Sequence, residues 1–265
     1  MNLSVTIGPR LQTVAEFVPK GASLGDIGTD HAYLPIALYE TQQILKAVAV
    51  DVHEGPYQSA LAAVKDRHLE AVIKVRFGDG LMPLESGEVN VLTLAGMGGK
   101  TMLDILTVRP DILESVQHLI LQPQGSERAV RLALLGSGWR LKAEKLVEED
   151  HRIYVVMAYS KDEGWDRVRF QTIERQWTER LQPLLEKSRL LEADFQGLVQ
   201  KLVWHFGPLV LEQRTDLLTR YMCEYRSMLV KQIEQMKKSH SPEIIHKIRK
   251  VSEESAMVEG LRLWQ

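Results

Sequence analysis

Leu24-Gly25-Asp26-Ile27-Gly28-Thr29-Asp30-His31-Ala32-Tyr33-Leu34-Pro35 reads as a short buried strand, a tight polar loop and the start of a helix. Gly28 fits a turn in which backbone takes positive φ or passes close to a ligand. The following helix offers free N–H groups and the positive end of its dipole. A strand–loop–helix unit of this kind, early in an alternating chain, is where doubly wound α/β sheets bind nucleotides. The loop is not the G-x-G-x-x-G fingerprint, because only Gly28 stands where several glycines are wanted. Asp30 adds a carboxylate that would repel a pyrophosphate and attract a cation such as a sulfonium or an ammonium.

Outward from this stretch the chain alternates. Upstream, Leu11, Val14, Ala15 and Val18 recur at helical spacing behind Pro9, which suits a helix start. Downstream, apolar runs at 22–27, 47–52, 73–77, 89–95 and 119–121 read as strands. Helical patterns fall at 33–39, 56–67, from 101 and at 127–135. The runs at 139–147 and 153–159 read as a closing antiparallel pair. Strands alternating with helices imply a mainly parallel sheet covered on both faces. Five such units and a terminal hairpin are the order of a class I methyltransferase, a Rossmann-like doubly wound α/β fold, by analogy of pattern.

From Trp165 strand signals stop. Phe170, Ile173, Trp177, Leu181 and Leu184 recur at three or four, with Pro183 inside the register as a kink or break. The pattern continues over 190–204, turns at His205-Phe206-Gly207-Pro208, and returns as one long helix from Leu211 to Met236. An antiparallel, coiled-coil-like helical hairpin is expected, with a second break at 237–242 and a last helix over 243–258. The expected domains are 1–162, a cofactor-binding sheet domain, and 163–265, the helical domain.

Acids close three of the strands. Asp51 is placed to accept hydrogen bonds from ribose hydroxyls and Asp79 from an adenine amine, while Asp26 suits a cationic sulfur. This set points to S-adenosylmethionine. The candidate cofactor residues are Asp26, Ile27, Gly28, Asp30 and His31 in the first loop, Asp51 and Val52 after the second strand, Asp79 and Gly80 after the third, and Ala95, Gly96 and Met97 after the fourth. Each has a bland reading beside it: a helix N-cap for Asp51, an Asx-turn for Asp79, close packing for the glycines. Asp30 and His31 are candidate catalytic residues, although a lone histidine is more often structural. Arg10 is a third, against its reading as a surface charge. Gly98, Gly99, Gln122, Pro123 and Gln124, with Arg10, are the candidate substrate wall.

The 265 residues are 45% hydrophobic and 26% charged, as in a globular protein with a real core. No run of about 18 apolar residues suggests a membrane span, and the first residues lack the pattern of a secretion signal. Cys223 is the one cysteine, which excludes an intrachain disulfide, a thiolate zinc cluster and a Cys-x-x-Cys motif. Its distance from the cofactor loops argues against covalent attack on a pyrimidine. The histidines are scattered and no metal is expected. A cytoplasmic protein, monomer or weak homodimer, is expected. The net charge of −2 is uneven: residues 165–265 hold 17 Lys and Arg against 14 Asp and Glu, leaving 16 against 21 in 1–164. The mildly basic second half is a weak nucleic-acid signal. Tyr221, Tyr225, Arg214, Arg220, Arg226 and Lys231 could stack on bases and hold phosphates, against a reading as core edge and solvated face.

The strings 26–35, Gly55-Pro56-Tyr57-Gln58-Ser59-Ala60, Gly78-Asp79-Gly80-Leu81, Ala95-Gly96-Met97-Gly98-Gly99 and Leu121-Gln122-Pro123 occur in this order. Together they resemble the bacterial TrmK family, which methylates N1 of the adenine at position 22 of tRNA. The resemblance covers about residues 8–160. It implies S-adenosylmethionine as cofactor, tRNA as partner, an adenine pocket walled by 96–99 and 122–124, Arg10 on a nearby phosphate, and a helical domain that grips the RNA. Gln124 stands where the family usually has Asn, and Thr29 where it often has Ser. Two other readings compete: a methyltransferase of this fold acting at another RNA site or on a small molecule or protein, and a cofactor-binding recruitment module without catalysis.

Overall fold

The computed structural model describes residues 5–187, 190–238 and 241–263. The chain divides into two compact units, Met1–Asp166 and Arg167–Gln265. In the first, helix α1 (Pro9–Phe17) precedes β1 (Ala22–Ile27), α2 (Tyr33–Glu40), β2 (Ile44–Asp51), α3 (Glu54–Asp66) and β3 (Ile73–Phe77). Then come β4 (Val91–Met97), α4 (Gly99–Val108), α5 (Pro110–Ser115), β5 (His118–Pro123), α6 (Glu127–Gly136), β6 (Arg140–Glu149) and β7 (Arg152–Ser160). The seven strands lie in the order β3-β2-β1-β4-β5-β7-β6. β1 to β5 are parallel, and β7 runs antiparallel to both β5 and β6. Strand order reverses between β1 and β4, so a crevice opens outside their carboxyl ends, where ligands bind in such sheets. This is the expected methyltransferase order with its terminal hairpin.

The inner parallel strands β4 and β5 and the second half of β2 are largely buried, and their sequences are accordingly near-continuous apolar runs, whereas the edge strand β3 keeps Lys74 and Phe77 exposed. Ala47, Val48, Ala49 and Val50 of β2 are all buried, as are Val91, Leu92 and Leu94 of β4. β2 starts three residues before the expected run because Leu45 and Lys46 are exposed and carry no burial signal. β4 runs past Gly96 to Met97, with a register shift against β5 between Ala95 and Met97. The six-residue α5 was not expected; it is too short to show a period.

The second unit is helical, with α7 (Arg167–Lys187), α8 (Glu192–Phe206), α9 (Pro208–Gln213), α10 (Asp216–Met236) and α11 (Pro242–Leu263). Three expectations are corrected. Pro183 lies inside α7 and does not end it. The single helix from Leu211 is two helices: Arg214 takes a left-handed conformation, and Thr215 caps α10 by accepting the Leu218 N–H on its hydroxyl at 3.2 Å. The long pairings are α10 along α11 and α7 along α8, rather than one hairpin about 205–208. The end of α8 meets α10 through Phe206, which packs edge-on against Tyr221 and Tyr225. Of the second break, Ser239 and His240 lie outside the described residues, as do Met1 to Ser4 at the start. Among the described residues no helix is long and apolar enough to cross a membrane.

Candidate active site

The loop after β1 is locked from beneath. Asp26 is buried, and its two carboxylate oxygens accept the hydroxyls of Thr29 and Thr93, both at 2.6 Å. Thr93 lies opposite Asp26 on β4. Burial pushes the Asp26 carboxyl above its ordinary value, the two hydroxyls oppose that, and the charge of Asp51 adds to it. The Gly28 and Thr29 N–H groups donate to the Val50 carbonyl at 2.9 and 3.0 Å. Asp51 then holds the loop and the next helix together, accepting the Asp30 N–H at 3.1 Å and the His53 N–H at 3.0 Å. Asp30 and Ala32 both sit at φ near +55°, a strained conformation for residues with a Cβ. Between and beside them His31 stacks on Tyr33 at 5.1 Å, and its Nδ1 lies 3.0 Å from Asp30 Oδ1.

Arg10 approaches from α1. Its backbone N–H and Nε donate to the two oxygens of Glu149 at 3.2 and 3.0 Å, and Nη1 donates to Gln122 Oε1 at 2.8 Å. Arg10 is therefore a held, partly buried group and not a free surface charge. Gly96, at φ +77°, makes room for it: a Cβ there would lie 3.2 Å from Arg10 Nη1.

A cavity of about 250 Å³ joins these groups. Of the expected residues it brings together Arg10, Asp26, Gly28 and Asp30 with His31, Ala95, Gly96 and Gln124. Leu11, Thr29, Tyr33 and Leu34 also line it and were not singled out. Several expected residues lie outside the cavity's lining. The Gln122 side chain is fully buried, with Nε2 donating to the Pro123 carbonyl at 3.0 Å, so it supports the wall and does not form it. Pro123 is buried in β5. Gly99 serves close packing, since a Cβ there would meet the Gly125 carbonyl at 2.6 Å and Val130 at 2.9 Å. Gly98 is the exposed N-cap of α4. Ile27 is buried within β1, and Met97 lies under Gly28, 2.8 Å from where a Cβ would stand.

The remaining candidates sit at the ends of β2 and β3, outside the cavity's lining. Asp51 pairs in register with Phe77, and the Gly78 N–H donates to the Asp51 carbonyl at 3.0 Å. Asp79 is exposed, as are Val52 and Phe77, while Gly80 takes φ +52° against Ile105. Acids next to exposed apolar side chains fit an adenosyl group that carries a cation.

A larger groove of about 600 Å³ lies in the helical unit. Four of its charged residues pair off, Lys201 with Glu254 at 2.6 Å and Arg249 with Glu253 at 2.9 Å. Tyr225 also donates to Glu254 at 2.6 Å and packs on His205, which favours the core-edge reading of that tyrosine. Among the described residues no group of three or more His, Cys, Asp or Glu could hold a metal ion.

Residues 7–157 match the family described as "Methyltransferase domain". The chain is similar to the tRNA (adenine(22)-N(1))-methyltransferase of Bacillus subtilis strain 168, 38% identical over 165 residues that cover 61% of this chain and 69% of that protein. A Streptococcus pneumoniae protein assigned to the tRNA (m1A22) methyltransferases, crystallised with S-adenosyl-L-methionine, superposes with TM-score 0.71 at 31% identity, over 94% of this chain and 99% of the other. The structure of the Bacillus subtilis m1A22 tRNA methyltransferase TrmK superposes with TM-score 0.76 at 25% identity, over 97% and 99%.

Proposed function

The chain belongs to the tRNA (adenine(22)-N(1))-methyltransferase family, and from that premise we propose how its residues carry the reaction. It is an S-adenosylmethionine-dependent enzyme that methylates N1 of adenine in tRNA. The observation that supports the assignment of roles is the 250 Å³ cavity at the β1/β4 crevice, where Arg10, Asp30, His31 and Gln124 converge.

S-adenosylmethionine supplies an electrophilic methyl group on a positively charged sulfur. Asp51 and Asp79 hold its adenosine, with Val52 and Phe77 against the adenine face, and Asp26 keeps the 28–31 loop in place beneath it. Adenine N1 already bears a lone pair, so the enzyme needs no base before the N–C bond forms and the S–C bond breaks. The task left to the protein is alignment, worth a large part of the barrier when reacting atoms are held near contact. The methylated ring is cationic, and Asp30, steadied by His31, stabilises it as charge develops. Gly96 and Gln124 wall the base, which must leave its stack within the folded tRNA to present N1. The helical unit grips the RNA backbone through exposed cations such as Lys231, Lys237 and Lys238. The reading extends to a monomer or weak homodimer acting in the cytoplasm.

The test is methylation of unmodified tRNA followed by nucleoside analysis. N1-methyladenosine as product supports the assignment, and N6-methyladenosine or no transfer refutes it. An Asp30→Ala variant that binds cofactor and tRNA normally should turn over about 100-fold more slowly; a wild-type rate would remove Asp30 from the mechanism.

A further inference from the structure

We infer that Glu149, at the end of β6, is a positioning residue for methyl transfer: it aims the Arg10 guanidinium into the cavity. The inference rests on the functional reading above and adds a residue to it. Glu149 grips Arg10 at two places, the backbone N–H and Nε. Gln122 takes Nη1 and is itself fixed by its bond to the Pro123 carbonyl. A long side chain is thus fixed from its backbone to its fork, leaving Nη2 with no hydrogen bond among the described residues. That remaining edge suits a phosphate or other acceptor of the target nucleotide. Glu149 also balances the charge of Arg10, so a ring that becomes cationic does not meet an uncompensated positive group. Glycines clear both approaches: a Cβ at Gly8 would collide with Glu149 Oε1, and one at Gly96 would crowd Arg10 Nη1.

A structural tie between α1 and β6 would not need this pair. Glu16 and Lys145 already join the same two elements at 2.7 Å, with both side chains about half exposed and neither lining the cavity. The two ion pairs therefore separate positioning from fastening.

The experiment measures steady-state methyl transfer to unmodified tRNA by the full chain, alongside cofactor affinity and melting temperature. Glu149→Ala should lower kcat/KM for tRNA about 10- to 100-fold with cofactor affinity unchanged, the scale of a misplaced contact. Glu149→Gln should recover part of the loss, since its amide oxygen still accepts one of the two bonds. Lys145→Ala should stay within about twofold of wild type, as expected for an exposed pair. Arg10→Ala with Glu149→Ala should be no slower than Arg10→Ala alone, the mark of residues acting as one unit. Additive losses in the double variant, or a Lys145→Ala loss equal to that of Glu149→Ala, would overturn the inference while the function stands. A wild-type protein that transfers no methyl group to tRNA would overturn both.

Discussion

The two halves of the cleft at the carboxyl ends of the parallel strands are built differently. At β1, β4 and β5 the polar groups interlock, some fully and some partly buried: Asp26 with Thr29 and Thr93, Gln122 with Arg10, Arg10 with Glu149. At the ends of β2 and β3 Asp51 is engaged, while Asp79, Val52 and Phe77 lie exposed. The first half is set before any ligand arrives, as alignment of a reacting base requires. The second half leaves apolar surface and an acid open to water, as a site does that is completed by a flat, polar-edged ligand.

The largest effect should come from the interlocked half. Asp26→Ala strands two buried hydroxyls at about 1–3 kcal/mol each, so unfolding by denaturant should show a loss of roughly 3 kcal/mol; an unchanged midpoint would mean the half is not interlocked. Gly96→Ala puts a Cβ at φ +77° and against Arg10. Left-handed strain of about 1–2 kcal/mol and a displaced guanidinium should reduce turnover, with cofactor affinity, measured by calorimetry, nearly kept.

In the open half, Phe77→Ala should weaken cofactor binding by roughly 1 kcal/mol, about fivefold, the low end of base–aromatic stacking. The melting temperature of the free protein should barely move, because the ring is half in water. A large loss of stability there would erase the contrast between the halves. The smallest effect is in pH. The raised pKa of Asp26 means that the unfolded chain gives up its proton first, so stability falls as pH rises from about 4 towards the raised native value. Asp26→Asn should flatten that fall in a series of melting curves.

Much of this was legible in the residues. β1 and β3 have the expected bounds, β1 as a buried run and the edge strand β3 as β-branched and aromatic residues alternating with Lys74 and Arg76. The first loop stood out through Gly28 and Asp30, both placed at the cavity. Thr29 for Ser is a mild change for a visible reason, since what Asp26 needs is the hydroxyl. Glu149 carried no such signal. It sits beside a hairpin turn among other acids, and its partner is 139 positions away. Gln122 and Gln124 look alike in sequence, yet one is buried within β5 and the other, just past the strand's end at Pro123, lines the cavity. The break at Arg214 was hidden because apolar spacing continues across it, and only backbone conformation separates α9 from α10.

The central claim is that this cleft methylates N1 of one adenine in tRNA. It is tested most directly by primer extension on tRNA treated with the full chain and S-adenosylmethionine, since a methyl on N1 blocks base pairing and halts the polymerase. The account predicts a single new stop one nucleotide before adenine 22. Stops elsewhere, or methylated tRNA that is read through without a stop, would contradict it.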